Sequence, residues 1–319
     1  MKLTYWPPPQ RNSLSPMRYS ISHTTHYHYS EAARLHPQIL RLCPRSDGTQ
    51  WLERFDLTVE PAPSHRAYFL DAQGNTCLSV TFDSPITAWK IHALSEVRTT
   101  RDNPFDYLAE PWAVQFPVDY PSSLACQLQP YLGQPIGWGM GDAIAPEVIQ
   151  LAQSIRQEVG DNVGYFLTRL AQYIPNECAY EQRLEGAPYP AAVTLQKKVG
   201  TCRDFTVLFM AVCQAVGLAA RFVSGYQEGD LEADNLDAGS LEVAGGEQST
   251  HDLHAWAEVY VPGGGWRGFD PTLGLAVSDR HVAIAAAADP RQAAPVSGSL
   301  HPGQSVSTTL DTNIRLVAA

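Results

Sequence analysis

Residues 200–217 read GTCRDFTVLFMAVCQAVG and combine the start of a helix with a candidate nucleophile. Thr201 with Asp204 three residues later has the form of a capping box, and Gly217 is a typical helix stop. Apolar residues recur between them at three- and four-residue steps, which predicts a helix that buries one face. Cys202 falls in the first turn, where unpaired backbone N–H groups and the helix dipole favour a thiolate and can bind an oxyanion.

The segment 254–270 predicts a β-hairpin. It alternates with a period of two from His254, turns at Pro-Gly-Gly-Gly and returns as a strand that a proline closes. A five-residue loop would pair Tyr260 with Trp266 and place Asp270 on the same face as His254. Such cross-strand diagonals lie roughly 7–8 Å apart at the backbone, a distance that the two side chains can bridge.

Cys202, His254 and Asp270 together predict a thiol site for acyl transfer. A thiol needs a neighbouring imidazole to be a strong nucleophile near neutral pH, and the imidazole needs a carboxylate to hold its tautomer and stabilise its cation. Each residue alone has a structural explanation, as a buried cysteine, a packed histidine or a turn aspartate. Their combined placement favours catalysis.

Two neighbouring residues are candidates for supporting roles. Gln196 lies six residues before Cys202, and a glutamine at this spacing could be an oxyanion partner. Trp256 shares the predicted strand face of His254, where it could shield the hydrogen bond to Asp270 from water; core packing explains it equally well. Asp204 is better explained by helix capping than by chemistry.

Four sequence blocks contain these residues: Gly-Thr-Cys-Arg-Asp-Phe at 200–205, Ala-Arg-Phe-Val-Ser-Gly-Tyr at 220–226, His-Ala-Trp-Ala-Glu-Val at 254–259 and Gly-Trp-Arg-Gly-Phe-Asp-Pro-Thr at 265–272. In this order they resemble the core of the bacterial transglutaminase-like superfamily. The resemblance implies a papain-like thiol fold in which Cys202 is the nucleophile, His254 the general acid and base, and Asp270 its orienting partner.

The upstream sequence contains Tyr-Ser-Ile-Ser-His-Thr-Thr-His-Tyr-His-Tyr-Ser at 19–30, Leu-Arg-Leu-Cys-Pro at 40–44 and Asp-Ala-Gln-Gly-Asn at 71–75. These segments resemble the N-terminal domain that accompanies such cores in bacteria. One segment departs from the family, because 286–290 reads Ala-Ala-Ala-Asp-Pro where a Gly-Arg-Asp-Tyr block is usual. The later Ala-Pro-Val-Ser-Gly at 294–298 is retained, so the site is expected to be altered at its rim while the triad stands.

The 319 residues are enough for two domains, and the predicted class is α+β. Short alternating segments predict strands in the first part of the chain, and helical periodicity at 146–159 and 163–174 precedes the cysteine helix. The predicted units are a disordered tail (1–16), an N-terminal antiparallel β-sandwich (17–102), an irregular Pro/Gly-rich connector (103–145), a papain-like, transglutaminase-like core of helices packed on an antiparallel sheet (146–305) and a C-terminal tail (306–319).

The net charge of −11 argues against a nucleic-acid surface. Much of it lies in the segment 227–250, which has seven acidic residues and no lysine or arginine. This composition predicts a mobile loop close to the site, either a lid or a tolerated insertion. If the loop takes part in substrate choice, it favours basic partners.

Six scattered cysteines without a CxxC pair or metal-ligand spacing indicate a reduced, cytoplasmic compartment. We expect no membrane contact, because apolar runs stay well below ~20 residues. His26 and His28 share a strand face and His23 points to the other, so we interpret them as a partly exposed polar strand rather than a metal site. Neither a metal nor another cofactor is predicted.

These observations predict a thiol-dependent enzyme that acts on amide bonds of proteins or peptides through an acyl-enzyme intermediate. Hydrolysis, as a cysteine peptidase or amidase, is favoured because water is always present, whereas an amine acceptor would make the protein a transglutaminase. A non-catalytic binding protein that retains the fold is a third alternative, motivated by the altered segment 286–290. The substrate and the oligomeric state stay open.

Overall fold

The computed structural model describes residues 16–133, 144–183, 186–229, 253–302 and 306–318. Within these ranges none of the helices could span a lipid bilayer. Two sequence predictions fall mainly on other residues: 1–15 of the predicted tail and 230–250 of the predicted acidic loop lie outside the described residues.

The helices are α1 (Ser122–Leu128), α2 (Pro146–Val159), α3 (Val163–Glu177), α4 (Ala191–Lys197) and α5 (Cys202–Ala215). The strands are β1 (Met17–Ala33), β2 (Gln38–Leu40), β3 (Gln50–Glu60), β4 (His65–Leu70), β5 (Thr76–Thr81), β6 (Ile86–Thr99), β7 (Ala179–Tyr180), β8 (Val199–Gly200), β9 (Ala220–Gln227), β10 (His254–Val261), β11 (Gly265–Asp270), β12 (Leu275–Ala276), β13 (His281–Ala287), β14 (Val296–Ser297) and β15 (Thr308–Ala318). Short 3-10 turns cover Pro111–Ala113, Gln129–Tyr131 and Pro290–Ala293.

The N-terminal part forms two antiparallel sheets, ordered β15-β1-β6-β3 and β14-β2-β5-β4. Alternate residues are buried along much of β1 and β6, as the period-two pattern of the sequence requires. Trp89 and Ile91 of β6 belong to the same buried core as Leu40 of β2 and Val80 of β5. The predicted class, α+β with antiparallel sheets, is confirmed.

The segment 306–319, predicted to be a C-terminal tail, instead contains the strand β15. β15 pairs with β1 along eleven positions, from Tyr19 with Ala318 to Tyr29 with Thr308. Ile314 of β15 is buried beneath this pair. Leu310, Ile314 and Leu316 fall on one face of this segment, but no turn connects it to a neighbouring strand, so its sequence alone does not predict the pairing. The long edge of β1 provides the partner that stabilises it.

The predicted irregular connector also contains one short helix, α1, which begins after Pro121. A proline fits this position because the first helical N–H groups have no intrahelical acceptor. The sequence 103–145 is so rich in proline that it does not predict this seven-residue helix.

The second part is built on a five-stranded antiparallel sheet in the order β12-β11-β10-β9-β13. Helix α5 packs on β9 and β10, and Phe209 stacks on Phe269 of β11 with ring centroids 5.8 Å apart. Helices α2 and α3 pack in turn against α5 through their apolar faces. The sheet thus carries the hairpin, and α5 carries the cysteine.

Two buried amide side chains join the sandwich to the edge of this sheet. Gln50 accepts a hydrogen bond from the N–H of Ala283 (2.8 Å) and donates to its carbonyl oxygen (2.9 Å). Asn75 forms the same pair of bonds with Ala286, both at 2.9 Å. The amides therefore satisfy backbone groups of β13 as a neighbouring strand would, and they fix the sandwich against the core.

Candidate active site

Cys202 lies at the first residue of α5, as the capping box predicts. The N–H and the hydroxyl of Thr201 both donate to Asp204 Oδ2, at 2.8 and 3.0 Å. Burial by itself raises the pKa of Asp204, but hydrogen bonds from Thr201, Tyr189 and Arg183 outweigh it and lower that pKa. Asp204 is thus an ionised anchor that holds the helix start, which explains how the position of the thiol is fixed.

The hairpin has the predicted register. Tyr260 pairs with Trp266, and the chain turns after Val261 pairs with Gly265. His254 opens β10 and Asp270 closes β11, and their side chains meet with 2.6 Å between Nε2 and Oδ2. Because Nε2 is occupied by the carboxylate, Nδ1 is the ring nitrogen left for a reacting group.

The imidazole of His254 is in a strongly polarised environment. Burial alone would lower its pKa, but the charge and hydrogen bond of Asp270, together with a hydrogen bond to Cys202, raise the pKa to about 10. In the same pair, burial would raise the pKa of Asp270, but His254 outweighs it and holds that pKa well below its usual range. At neutral pH the site therefore holds an imidazolium between the carboxylate of Asp270 and the sulfur of Cys202.

His281, the first residue of β13, completes this cluster and was not predicted. Its Nε2 lies 3.0 Å from the same Asp270 Oδ2, and the side chain is only 2% exposed. Burial lowers the pKa of His281, so the ring is neutral and donates from Nε2 to the carboxylate. A polar residue opening the apolar run His-Val-Ala-Ile-Ala-Ala-Ala was a usable signal, but β13 pairs with β9, far away in sequence, so its register was not predictable.

The other oxygen of Asp270 is also occupied. Oδ1 accepts hydrogen bonds from the backbone N–H groups of Thr272 (2.9 Å) and Leu273 (3.2 Å). The turn that follows β11 therefore clamps the carboxylate. With two imidazoles and two amides around it, this fully buried group has little freedom to rotate.

Trp256 packs against both imidazoles. Its ring is buried, lies 6.4 Å from the His254 ring in a stacked orientation and meets His281 edge-on at 5.2 Å. Gly225 on the neighbouring strand makes room for it, because an added Cβ would overlap the indole ring and the carbonyl oxygen of Val282. The indole therefore packs beside the two imidazoles that bond to Asp270, a position compatible both with excluding water from these bonds and with filling the core.

Gln196 and His23 lie elsewhere than predicted. Gln196 is exposed on α4 and is not among the described residues that line the cavity beside Cys202, so its position gives the oxyanion role no support. His23 was predicted on a partly exposed face but is 3% exposed, because its Nδ1 bonds to the hydroxyl of Tyr226 (2.9 Å) and its Nε2 to that of Thr25 (3.0 Å). Burial lowers the pKa of His23 to about 4, so it is a neutral residue at the domain boundary.

Metal-ligand spacing occurs in the described chain at His254, Asp270 and His281, whose donor atoms lie within 4.8 Å of one another. Both imidazole Nε2 atoms already contact a single carboxylate oxygen at hydrogen-bond distance. Hydrogen bonding therefore accounts for this arrangement without an ion.

Cys202 and His254 line a cavity of about 690 Å³ between the core and the sandwich. Pro290, the last residue of the segment that departs from the usual family sequence, also lines it, whereas Ala286 and Ala287 of that segment are buried in β13. The opposite side is supplied by β1 and β15 of the sandwich. A substrate group placed here can reach both the thiol and the imidazole.

A helix-borne cysteine packed against an antiparallel sheet that carries histidine and aspartate defines a papain-like thiol fold. Residues 19–98 match the Bacterial transglutaminase-like N-terminal region, and residues 149–271 match the Transglutaminase-like superfamily. The chain belongs to the transglutaminase-like superfamily.

The chain is also similar to two curated proteins and to one solved structure. An uncharacterized protein of Mycobacterium tuberculosis is 26% identical over 309 residues, which are 94% of this chain and 92% of that protein. Protein-glutamine gamma-glutamyltransferase of Pseudomonas aeruginosa is 28% identical over 135 residues, 41% of this chain and 19% of that protein. The crystal structure of a proposed cysteine protease from Cytophaga hutchinsonii shares the fold, with a TM-score of 0.67, 20% identity and coverage of 96% of this chain and 91% of that chain.

Proposed function

We propose that the protein is a thiol-dependent hydrolase of amide bonds in proteins or peptides, a cysteine peptidase or amidase. The observation that carries the proposal is the 2.6 Å contact of His254 Nε2 with the buried Asp270, beside the helix-borne Cys202 and at an open cavity. These three side chains provide the nucleophile, the proton carrier and the orienting carboxylate that acyl transfer requires.

In the proposed reaction, the Cys202 thiolate attacks the carbonyl carbon of the substrate amide. First-turn backbone N–H groups of α5 stabilise the oxyanion, because they have no intrahelical acceptor. The carbon–nitrogen bond then breaks, the amine leaves with a proton from His254, and a thioester is formed. A water molecule gives a proton to His254 as it attacks the thioester, the carbon–sulfur bond breaks, and Cys202 leaves as a thiolate.

Transfer to an amine is the second candidate, favoured by the similarity to a protein-glutamine gamma-glutamyltransferase. The same thioester would then be resolved by a primary amine instead of water. Both activities can be assayed together: a peptide library reports cleavage, and a glutamine-containing acceptor protein with a fluorescent amine reports transfer. Cys202→Ala should abolish either one, and amine incorporation without cleavage would replace hydrolysis by transfer.

The thiol chemistry can be tested without a substrate. Iodoacetamide labelling followed by mass spectrometry gives the rate at each cysteine, and the exposed Cys126 is an internal reference for an ordinary thiol. We expect Cys202 to react faster than Cys126 below pH 7, and His254→Ala to remove that advantage. Equal rates in the wild-type protein would favour a non-catalytic binding protein.

A further inference from the structure

The cavity beside Cys202 has a wall contributed by the sandwich. Three cross-strand pairs of β1 and β15 line it: Thr25 with Thr312, Tyr27 with Leu310 and Tyr29 with Thr308. They are alternate residues on both strands, so one continuous face of this pair of strands lines the cavity. The segment predicted as a C-terminal tail thus supplies half of the wall.

This wall is neutral, and part of its apolar surface is open. Leu310 is 37% exposed although it faces the cavity. Tyr27 is held rigidly, because it stacks on Trp89 at 5.0 Å and the indole N–H of Trp89 donates to the hydroxyl of Tyr29 at 3.0 Å. A preformed apolar surface with a few hydroxyl groups is typical of a site for a neutral side chain.

Charged groups of the cavity lie on the core side. Among its described lining residues no aspartate or glutamate occurs, and the three arginines are already engaged. Arg183 pairs with Asp204, Arg203 donates to the carbonyl oxygens of Arg183 and Gly186, and Arg291 pairs with Asp289. They therefore hold neighbouring loops and the 3-10 turn in place.

We infer that the face formed by Tyr27 and Leu310 binds an apolar or aromatic, uncharged group of the acyl part of the substrate, next to the bond attacked by Cys202. This inference rests on the proposed function only in taking the bound group to be part of a substrate. A charged group would lose its hydration against Leu310. A cation would find no carboxylate among the described lining residues, and an anion would find the three arginines already engaged, so both are disfavoured. Any preference for basic partners would have to come from the acidic segment 230–250, outside the described residues.

Three alkylating probes of similar length test this selectivity: N-(4-ethylbenzyl) iodoacetamide and the corresponding 4-carboxybenzyl and 4-(aminomethyl)benzyl compounds. Each rate at Cys202 is divided by the rate of plain iodoacetamide at the same residue, which cancels differences in thiol reactivity. We expect the neutral probe to exceed both charged probes by roughly tenfold in the wild-type protein, the size of effect that pocket complementarity commonly gives.

Charge placed on the wall should redirect this preference. Leu310→Asp should favour the aminomethyl probe and Leu310→Lys the carboxy probe, an inversion that misfolding cannot produce. Thr309→Asp is the matched control, because Thr309 is the adjacent residue on the opposite face of β15 and should keep the wild-type order. Equal rates for all three probes in the wild-type protein, or the same response from Leu310→Asp and Thr309→Asp, would overturn the inference. If His254→Ala left the rate of iodoacetamide labelling at Cys202 unchanged, the proposed function alone would be refuted. The probe ratios would still test the wall, because they can be measured on any thiol.

Discussion

Two buried aspartates stand on either side of the candidate site, Asp204 at the start of α5 and Asp270 at the end of the hairpin. Both side chains are fully buried and both pKa values are lowered. They differ in their cations. Asp204 pairs with the guanidinium of Arg183, which is always charged, whereas Asp270 pairs with the imidazolium of His254, which can give up its proton, and accepts a hydrogen bond from the neutral His281. We therefore expect the same burial to serve structure at Asp204 and the proposed chemistry at Asp270.

The largest effect is expected from Asp270→Asn. The amide cannot stabilise the cation of His254, so we expect peptide turnover to fall on the order of 10²- to 10⁴-fold, the share that general acid–base catalysis commonly contributes. The measurement is the initial rate on the peptides that the wild-type protein cleaves. A loss below about fivefold would show that Asp270 is a structural residue like Asp204.

Asp204→Asn should change stability instead of chemistry. The substitution leaves the charge of Arg183 without its partner, and we expect the free energy of unfolding to fall by about 3 kcal/mol, the lower end for a broken buried pair because Arg183 keeps some solvent contact. Urea unfolding measures this change. Cys202 reactivity in the remaining folded fraction should stay near that of the wild-type protein; a selective loss of reactivity at unchanged stability would contradict the comparison.

The two aspartates should also differ in how stability depends on pH. The pKa of His254 is raised from 6.5 in the unfolded chain to about 10 in the folded protein. Its pair with Asp270 therefore stabilises the fold fully below pH 6.5, and this contribution is lost as the pH rises toward 10. In acid, the lowered pKa of Asp270 means that the pair persists until the carboxylate is protonated below its usual pKa.

Urea unfolding at pH 6 and pH 9.5 can check this difference. We expect the stability advantage of the wild-type protein over Asp270→Asn to shrink between these values. The advantage over Asp204→Asn should stay constant, because Arg183 does not titrate in this range. An Asp270 contribution that is independent of pH would argue against an imidazolium in the resting site.

The parts of the site that the sequence predicts are those set by local geometry. The capping box positions Cys202 within one helical turn. The hairpin loop, which has an odd number of residues, brings Asp270 to the same face as His254. Both relations depend on residues fewer than twenty positions apart, so periodicity and turn chemistry are sufficient.

The features that sequence reasoning missed depend on distant pairings. His281 reaches Asp270 because β13 pairs with β9 across more than fifty residues, and Leu310 reaches the cavity because β15 pairs with β1 at the other end of the chain. Neither pairing has a connecting turn that would reveal its register. The burial of His23 was missed for the same reason, since its partner Tyr226 belongs to the core.

His281→Leu should have the smallest of these effects, and it tests whether the second imidazole orients Asp270. Removing one donor from Oδ2 leaves the contact with His254 and the two backbone N–H groups, so we expect turnover to fall about tenfold, as for the loss of one hydrogen bond to a charged group. His281→Gln keeps a donor and should restore most of the rate. The pKa of His254, followed by its NMR titration, should fall in His281→Leu relative to His281→Gln, because a less constrained carboxylate holds the imidazolium less firmly. Equal turnover and equal pKa of His254 in the two variants would leave His281 with a packing role against Trp256 alone.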